Sequence, residues 1–470
     1  MHDTDWSHRL SVVPEGKNIV GHVGGLHLRL LAQHTGLTRA LSTALRPSRP
    51  RLWDRGQIMT DLACVITLGG TSIRDTALLH HQRPAIGPTA SMPTTWRTLD
   101  AIGPPTLARI ARARATTRRH VWNLLDQREQ GFPWVRIQGT ELSGVTVIDS
   151  DATIVTTSSD KEGATGTFKG TYGHHPLTAY CANTHEMLVA TLREGSAAPN
   201  HPGDNTAALT SAVDQIPGPY RRRVLFRLDG AGASQDLLGW IASAGGRTSP
   251  CYTWEYSAGW PINTREQNAI AALDELGLWE AATGTDGQVR TDAFVADITG
   301  LLGDLHRWPP HHRVIVRKEP LHPRYEREAT DYEKRNKQRY QAFSTNTRTG
   351  QSAFLDARHR HHATVEQRIR DTKACGLKRL PSRHAHINAA WLCAVAIAAD
   401  LRSWFQLLAL SGELAAASPK TLRFRVLHVA ARLVHGQRRR SLKVDATWPW
   451  AVEIASAFDA IRALPPVARL

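Results

Sequence analysis

The stretch Gly144–Val155 reads GVTVIDSDATIV. Its β-branched residues and short polar alternation predict a strand. Side chains alternate faces along a strand, so Asp149 and Asp151, two apart, point to the same side. Two carboxylates on one face repel each other unless a cation or a proton intervenes. A solvent-facing pair at a strand end has the same pattern, so the pair alone leaves a structural and a metal-binding reading open.

Downstream the strand has company. TAYCANTHEMLVATLREG (178–195) carries two more strand-like pieces, and NTAALTSAVDQI (205–216) reads as a helix. RRRVLFRLDG (221–230) is a short apolar strand ending in Asp-Gly, SQDLLGWIASAGG (234–246) a helix with Ser234 as N-cap, and CYTWEYS (251–257) another strand. Residues 141–257 and 336–410 thus form a mixed sheet-and-helix core. Residues 258–335, rich in Pro, Gly and Trp, interrupt it with strand candidates such as HRVIVRKE (312–319). Residues 1–140 are mostly helical, as in HLRLLAQHTGLTRALSTAL (27–45) and DRGQIMTDLACVITLGG (54–70). LARIARARATTRRHVWNLLDQ (107–127) is a basic helix that either faces solvent or grips phosphates. Residues 411–470, including HGQRRRSLK (435–443), are expected to be helical.

The charge balance points to a partner. Lys and Arg number 58 against 42 Asp and Glu, a net charge of +16, which favours nucleic acid or another acidic surface. None of the five cysteines forms a CxxC pair, so neither a zinc knuckle nor a disulfide framework is indicated. The opening MHDTDWSHRL has no apolar signal region, and the apolar run 389–399 is interrupted by Asp400 and Arg402. That run reads as a buried helix of a soluble, cytoplasmic protein with no membrane partner.

Two further acids complete a pattern. Asp229 ends an apolar strand, where α/β sheets place their ligands, although Asp-Gly is also a common turn. Glu366 stands alone among His, Arg and Lys in ARHRHHATVEQRIRDTKACGLKRL (357–380). It shares a helical stripe with His359 and His362, and a face with Arg370 and Lys373. Phosphodiester cleavage assisted by two divalent ions needs about three carboxylates to hold ions roughly 3.5–4 Å apart. Carboxylate oxygens suit hard ions, Mg²⁺ or Mn²⁺. The stretch lacks the H-E-x-x-H zinc motif, and DGAGAS (229–234) is an incomplete dinucleotide fingerprint. KEGATGTFKGTYGHHP (161–176) reads as a hairpin or as a mobile loop near the acids.

VIDSDAT, the Lys161-Glu162-Gly163 segment with YGHHPL, FRLDGAGAS, VEQRIRDTKACGLKRLPS and NAAWL together resemble bacterial insertion-sequence transposases of the DDE type, in particular the IS-thirteen-eighty family. The resemblance covers nearly the whole chain. It implies an α/β fold: an RNase H-like catalytic core with a β-rich insertion between the second Asp and the Glu, flanked by helical N- and C-terminal regions. The related families share a Tyr-Arg-Glu-Lys signature. Glu366 and Lys373 keep its spacing, while His359 and His362 stand at the Tyr and Arg positions, with Arg358 and Arg360 as neighbouring cations.

By this resemblance Asp151, Asp229 and Glu366 are the catalytic acids and hold two Mg²⁺ or Mn²⁺ ions. The related Asp-x-Thr pattern matches Asp151-Ala152-Thr153 and favours Asp151 as the first acid, with Asp149 the alternative for that role and a further metal ligand. His359, His362, Arg370 and Lys373 are expected to contact DNA. The implied activity is cut-and-paste transposition on double-stranded DNA, both terminal inverted repeats and target, by a homodimer assembled on it. The alternatives are an RNase H-like nuclease or resolvase without strand transfer, and a non-catalytic DNA-binding protein derived from a transposase.

Overall fold

Residues 11–467, apart from 12, 15, 158–159, 199–200, 231–232, 285 and 437–438, are described by a computed structural model. MHDTDWSHRL and parts of DGAGAS and HGQRRRSLK therefore lie outside the described residues. The N-terminal region is built on helices α1 (Gly24–His34), α2 (Leu37–Ala44), α3 (Arg55–Thr67) and α4 (Pro104–Asp126). The helical pattern of 27–45 is one apolar stripe but two helices, because Gly36 takes a left-handed φ of 78° between them. Asp54 caps α3 by accepting from the Gln57 amide at 2.8 Å.

The core follows one topology. Strand β1 (Thr146–Ala152) lies beside β2 (Leu177–Cys181), and β2 beside β3 (Met187–Thr191), all antiparallel. Helix α5 (Pro202–Gln215) returns the chain to β4 (Arg223–Leu228), which pairs parallel with β1. Helix α6 (Gln235–Ala242), capped by Ser234, leads to β5 (Thr253–Trp260), parallel to β4. The spatial order β3-β2-β1-β4-β5, with three antiparallel strands followed by two parallel ones, is the RNase H arrangement.

The segment read as an insertion lengthens this sheet. After helix α7 (Thr264–Leu276), strands β6 (Glu280–Thr283), β7 (Val289–Asp297), β8 (Arg313–Pro320) and β9 (Gln338–Thr345) add in the order β5-β9-β8-β7-β6. The result is a nine-stranded sheet. Helix α8 (Ser352–Arg360), a single 3₁₀ turn at His361–Ala363 and helix α9 (Thr364–Thr372) then carry the His-rich stretch. The central helix of the molecule is α10 (Ala385–Ala409). It is longer than the apolar run 389–399, and by length and composition alone it is able to cross a membrane. Trp391, Ile397, Trp404 and Phe405 are nevertheless buried against protein, and Asp400 is fully enclosed.

Asp400 explains the basic helix α4, and neither expectation for that helix covers what is found. Arg109, Arg112 and Arg119 are exposed, but Arg114 and Arg118 point inward. Arg118 donates to Glu186 at 2.7 Å and to Asp400 at 2.8 Å, and Arg114 donates to Asp400 at 2.9 Å. The indoles of Trp122 and Trp404 both donate to Glu186 at 2.7 Å. Glu186 precedes β3, so this network ties α4 and α10 to the turn between β2 and β3. Every charge in it is paired, which is the condition for burying charge at all.

The C-terminal region corrects a second expectation. Residues 431–436 and 439–444 are not helical but pair as antiparallel strands β10 (Ala431–Gly436) and β11 (Arg439–Val444), with Ile19–Val20 as a third strand. Buried Ala431 and Leu433 alternate with exposed Arg432, a period of two. Helix α11 (Ala451–Ala463) closes the chain against α1 and α10.

Candidate active site

Strands β1 and β4 run parallel in a register that sets Asp149 opposite Arg227 and Ser150 opposite Leu228. Asp151 and Asp229 come next on the two strands, at their C-terminal ends. This is where a sheet with parallel strands leaves room for a ligand. Glu366 lies in the first turn of α9, and Lys373 just past its end.

Electrostatics link the three acids. Burial, then the neighbouring Asp229 charge, push the Asp151 carboxyl up to about 6; His362 and a backbone amide oppose this, and Glu366 adds to it. Among the described residues no group of three or more His, Cys, Asp or Glu side chains, these three acids included, is gathered closely enough to hold a metal ion. Three like charges on separate elements repel one another, which opposes such closure. The donor set is all carboxylate oxygen, and Asp151 binds a proton unusually well. Both properties suit a hard divalent cation.

The remaining candidates divide. Lys373 donates from Nζ to the Ile154 carbonyl at 3.1 Å and feels the Asp151 charge. Arg370 is exposed. Asp149 requires a correction as a metal ligand. Arg227 donates from Nε to Oδ1 at 2.7 Å and from Nη2 to Oδ2 at 2.8 Å, so both carboxylate oxygens are engaged. Burial favours the neutral acid, but Arg227 and His362 outweigh it and hold the carboxyl at about 2. His359 requires one as a DNA contact. Its ring stacks on Phe343 at 4.5 Å, its Nδ1 bonds Ser257 Oγ at 2.9 Å, and burial lowers its pKa to about 3. A neutral, stacked imidazole is not a phosphate-binding cation. His362 turns inward and donates from Nδ1 to Asp149 at 2.9 Å. Arg358 pairs with Glu255 at 2.9 Å.

The KEGATGTFKGTYGHHP segment forms a small antiparallel sheet from Val155–Thr156, Thr165–Gly166 and Tyr172–His174. Glu162 anchors it by accepting from the Ala385 amide at 2.8 Å, at the start of α10. Lys169 lies close enough to Lys373 to disfavour its charge.

Two residues escaped the sequence reading. Arg227 is one. Gly259 on β5 is the other: a Cβ there would meet the Gly230 amide nitrogen at 2.4 Å and the Asp229 carbonyl carbon at 3.2 Å. Those atoms are backbone and cannot swing aside, so Gly259→Ala must displace the turn that carries Asp229. A displacement of about 1 Å in a reacting constellation costs roughly 100-fold in rate. Gly259→Ala should therefore lower strand cleavage by about that factor while binding of a DNA end is kept. Wild-type cleavage by this variant would mean that the position of Asp229 does not matter.

The order of the sheet, with Asp151 and Asp229 at the C-terminal ends of two adjacent parallel strands, fits the DDE class of enzymes that cut and join DNA strands. The chain belongs to the family described as Transposase DDE domain group 1, whose model matches residues 3–466, and it is a DNA transposase. Among solved structures it is similar to the cryo-EM structure of a piggyBac transposase synaptic complex with hairpin DNA. The TM-score is 0.39 and the identity 10%, over 87% of this chain and 80% of that one. No curated protein matches.

Proposed function

We propose that the chain is the transposase of a bacterial insertion sequence of the IS-thirteen-eighty type, acting in the cytoplasm by cut-and-paste. Asp151, Asp229 and Glu366 would hold two Mg²⁺ or Mn²⁺ ions. When bound, such ions make an attacking hydroxyl more acidic and offset charge on the leaving oxygen. Lys373 and Arg370, on the same helical segment as Glu366, would hold the backbone of the cleaved strand. Water attacks the phosphodiester at the element's end and the 3′-oxygen leaves; the freed 3′-hydroxyl then attacks a target phosphodiester. Two ends must be held together, so a homodimer on DNA is the working unit.

The observation that carries this reading is geometric: parallel pairing of β1 with β4 brings Asp151 and Asp229 to adjacent strand ends, and Glu366 of α9 is near enough to add to the mainly burial-driven rise of the Asp151 carboxyl. The test is incubation of purified protein with DNA bearing the element's terminal inverted repeats, with Mg²⁺ or with chelator. Joined strands identify a transposase, and cut ends alone a nuclease or resolvase. Binding without cleavage under any divalent ion identifies a non-catalytic DNA-binding protein. Binding should weaken with salt at a log–log slope of roughly −0.9 per phosphate neutralised. A flat response would rule out all three readings.

A further inference from the structure

Each proposed acid has a partner of one cluster close behind it in the chain. Asp149 lies two residues before Asp151, Arg227 two before Asp229, and His362 four before Glu366, about one helical turn. Asp149 binds both of the other side chains. The Arg227 fork grips both Asp149 oxygens at 2.7 and 2.8 Å, and His362 reaches Asp149 Oδ1 at 2.9 Å. The third Arg227 nitrogen, Nη1, donates to the Arg358 carbonyl at 3.3 Å and to His361 Nδ1 at 3.2 Å, both at the junction of α8 and α9. Side-chain exposure is 0% for Arg227, 2% for Asp149 and 12% for His362.

We infer that Arg227 is a positioning residue: with Asp149 and His362 it clasps β1, β4 and the α8–α9 junction together at the roots of Asp151, Asp229 and Glu366, and so sets the spacing of the three carboxylates. The inference rests on the proposed role of those acids. Three like charges push their elements apart, and the clasp opposes that push from within the same three elements. Stability alone is a weak reason for such a cluster, because well-packed apolar residues commonly stabilise as well as a buried ion pair does. A planar guanidinium with donors in a rigid fork fixes distance and angle as a lysine cannot. Residues that orient metal-binding groups typically change metal affinity or activity 10- to 100-fold when replaced, which is about the effect expected here.

The experiment compares full-length Arg227→Lys, Arg227→Gln and His362→Ala with wild type on a DNA end. It measures melting temperature, DNA-end affinity in chelator, Mn²⁺ affinity from the resonance of free Mn²⁺, and single-turnover cleavage at saturating Mn²⁺. The expected result is DNA-end affinity within about threefold of wild type, with Mn²⁺ affinity and saturated cleavage each reduced roughly 10- to 100-fold. His362→Ala removes the partly accessible end of the clasp and keeps the test open if Arg227→Gln does not fold. Wild-type Mn²⁺ affinity in Arg227→Lys and His362→Ala would overturn the inference. So would losses of cleavage that merely track the folded fraction. Asp229→Asn and Glu366→Gln run in parallel separate the two claims. If they bind Mn²⁺ and cleave normally, the acid site itself is wrong. If they lose both functions while the clasp variants lose neither, only the clasp is wrong.

Discussion

Asp151→Asn should abolish strand cleavage and at the same time make the protein more stable. Loss of a single preorganised electrostatic group costs an enzyme about 100- to 1,000-fold, and removal of a metal-binding carboxylate should cost at least that. The gain in stability follows from the same charge. Burial and the nearby Asp229 raise the Asp151 carboxyl from 3.8 to about 6 in the folded protein, so its ionisation works against folding. Well below pH 3.8 the group is protonated in both folded and unfolded chains and nothing is lost. The penalty grows as the pH rises towards 6 and is complete above it. After allowance for solvent screening it is on the order of 1 kcal/mol. Melting curves in chelator should therefore show the variant above wild type at pH 7.5, with the difference closing towards pH 4. Added Mn²⁺ should raise the wild-type melting temperature more than that of the variant. A variant that cleaves DNA, or that melts below wild type at pH 7.5, would contradict this account.

Glu186→Ala should be the most destabilising of the single changes considered. The carboxylate is fully enclosed and accepts from Arg118, Trp122 and Trp404, each at 2.7 Å. Truncation leaves a buried guanidinium short of one counter-charge and two indole N–H groups without acceptors. Breaking a buried ion pair by removing one partner costs about 3–5 kcal/mol. The urea midpoint should fall accordingly, and soluble expression with it. Glu186→Gln, which keeps an acceptor but not the charge, should fall between. A wild-type midpoint for Glu186→Ala would show that α4 and α10 are held to the core without this network.

What was legible in the chain was local. The β-branched run with Asp149 and Asp151, the apolar strand ending at Asp229 and the Ser234 cap are each written within about ten residues, and each appears where the pattern places it. The resemblance supplied the grouping of Asp151, Asp229 and Glu366. The features that depart from the sequence expectation are all non-local. Arg118 looked like a surface or phosphate-binding residue because its partners Glu186 and Asp400 lie 68 and 282 positions away. The strands Ala431–Gly436 and Arg439–Val444 carry no such signal, because their third strand is Ile19–Val20, at the other end of the chain.

By itself, then, the sequence determined the strands that carry Asp149, Asp151 and Asp229 and the Ser234-capped helix, and that carboxylates stand at two strand ends and in one helix. Only the tertiary structure decided how the two acids of β1 are partnered. Parallel pairing sets Arg227 against Asp149 and engages both of its oxygens, while Asp151, one strand repeat further along, lies in the field of Asp229 and Glu366. Alternation puts both acids on one face and makes them equivalent within the strand. The register with a neighbour 78 residues away breaks that equivalence, and no local pattern encodes it.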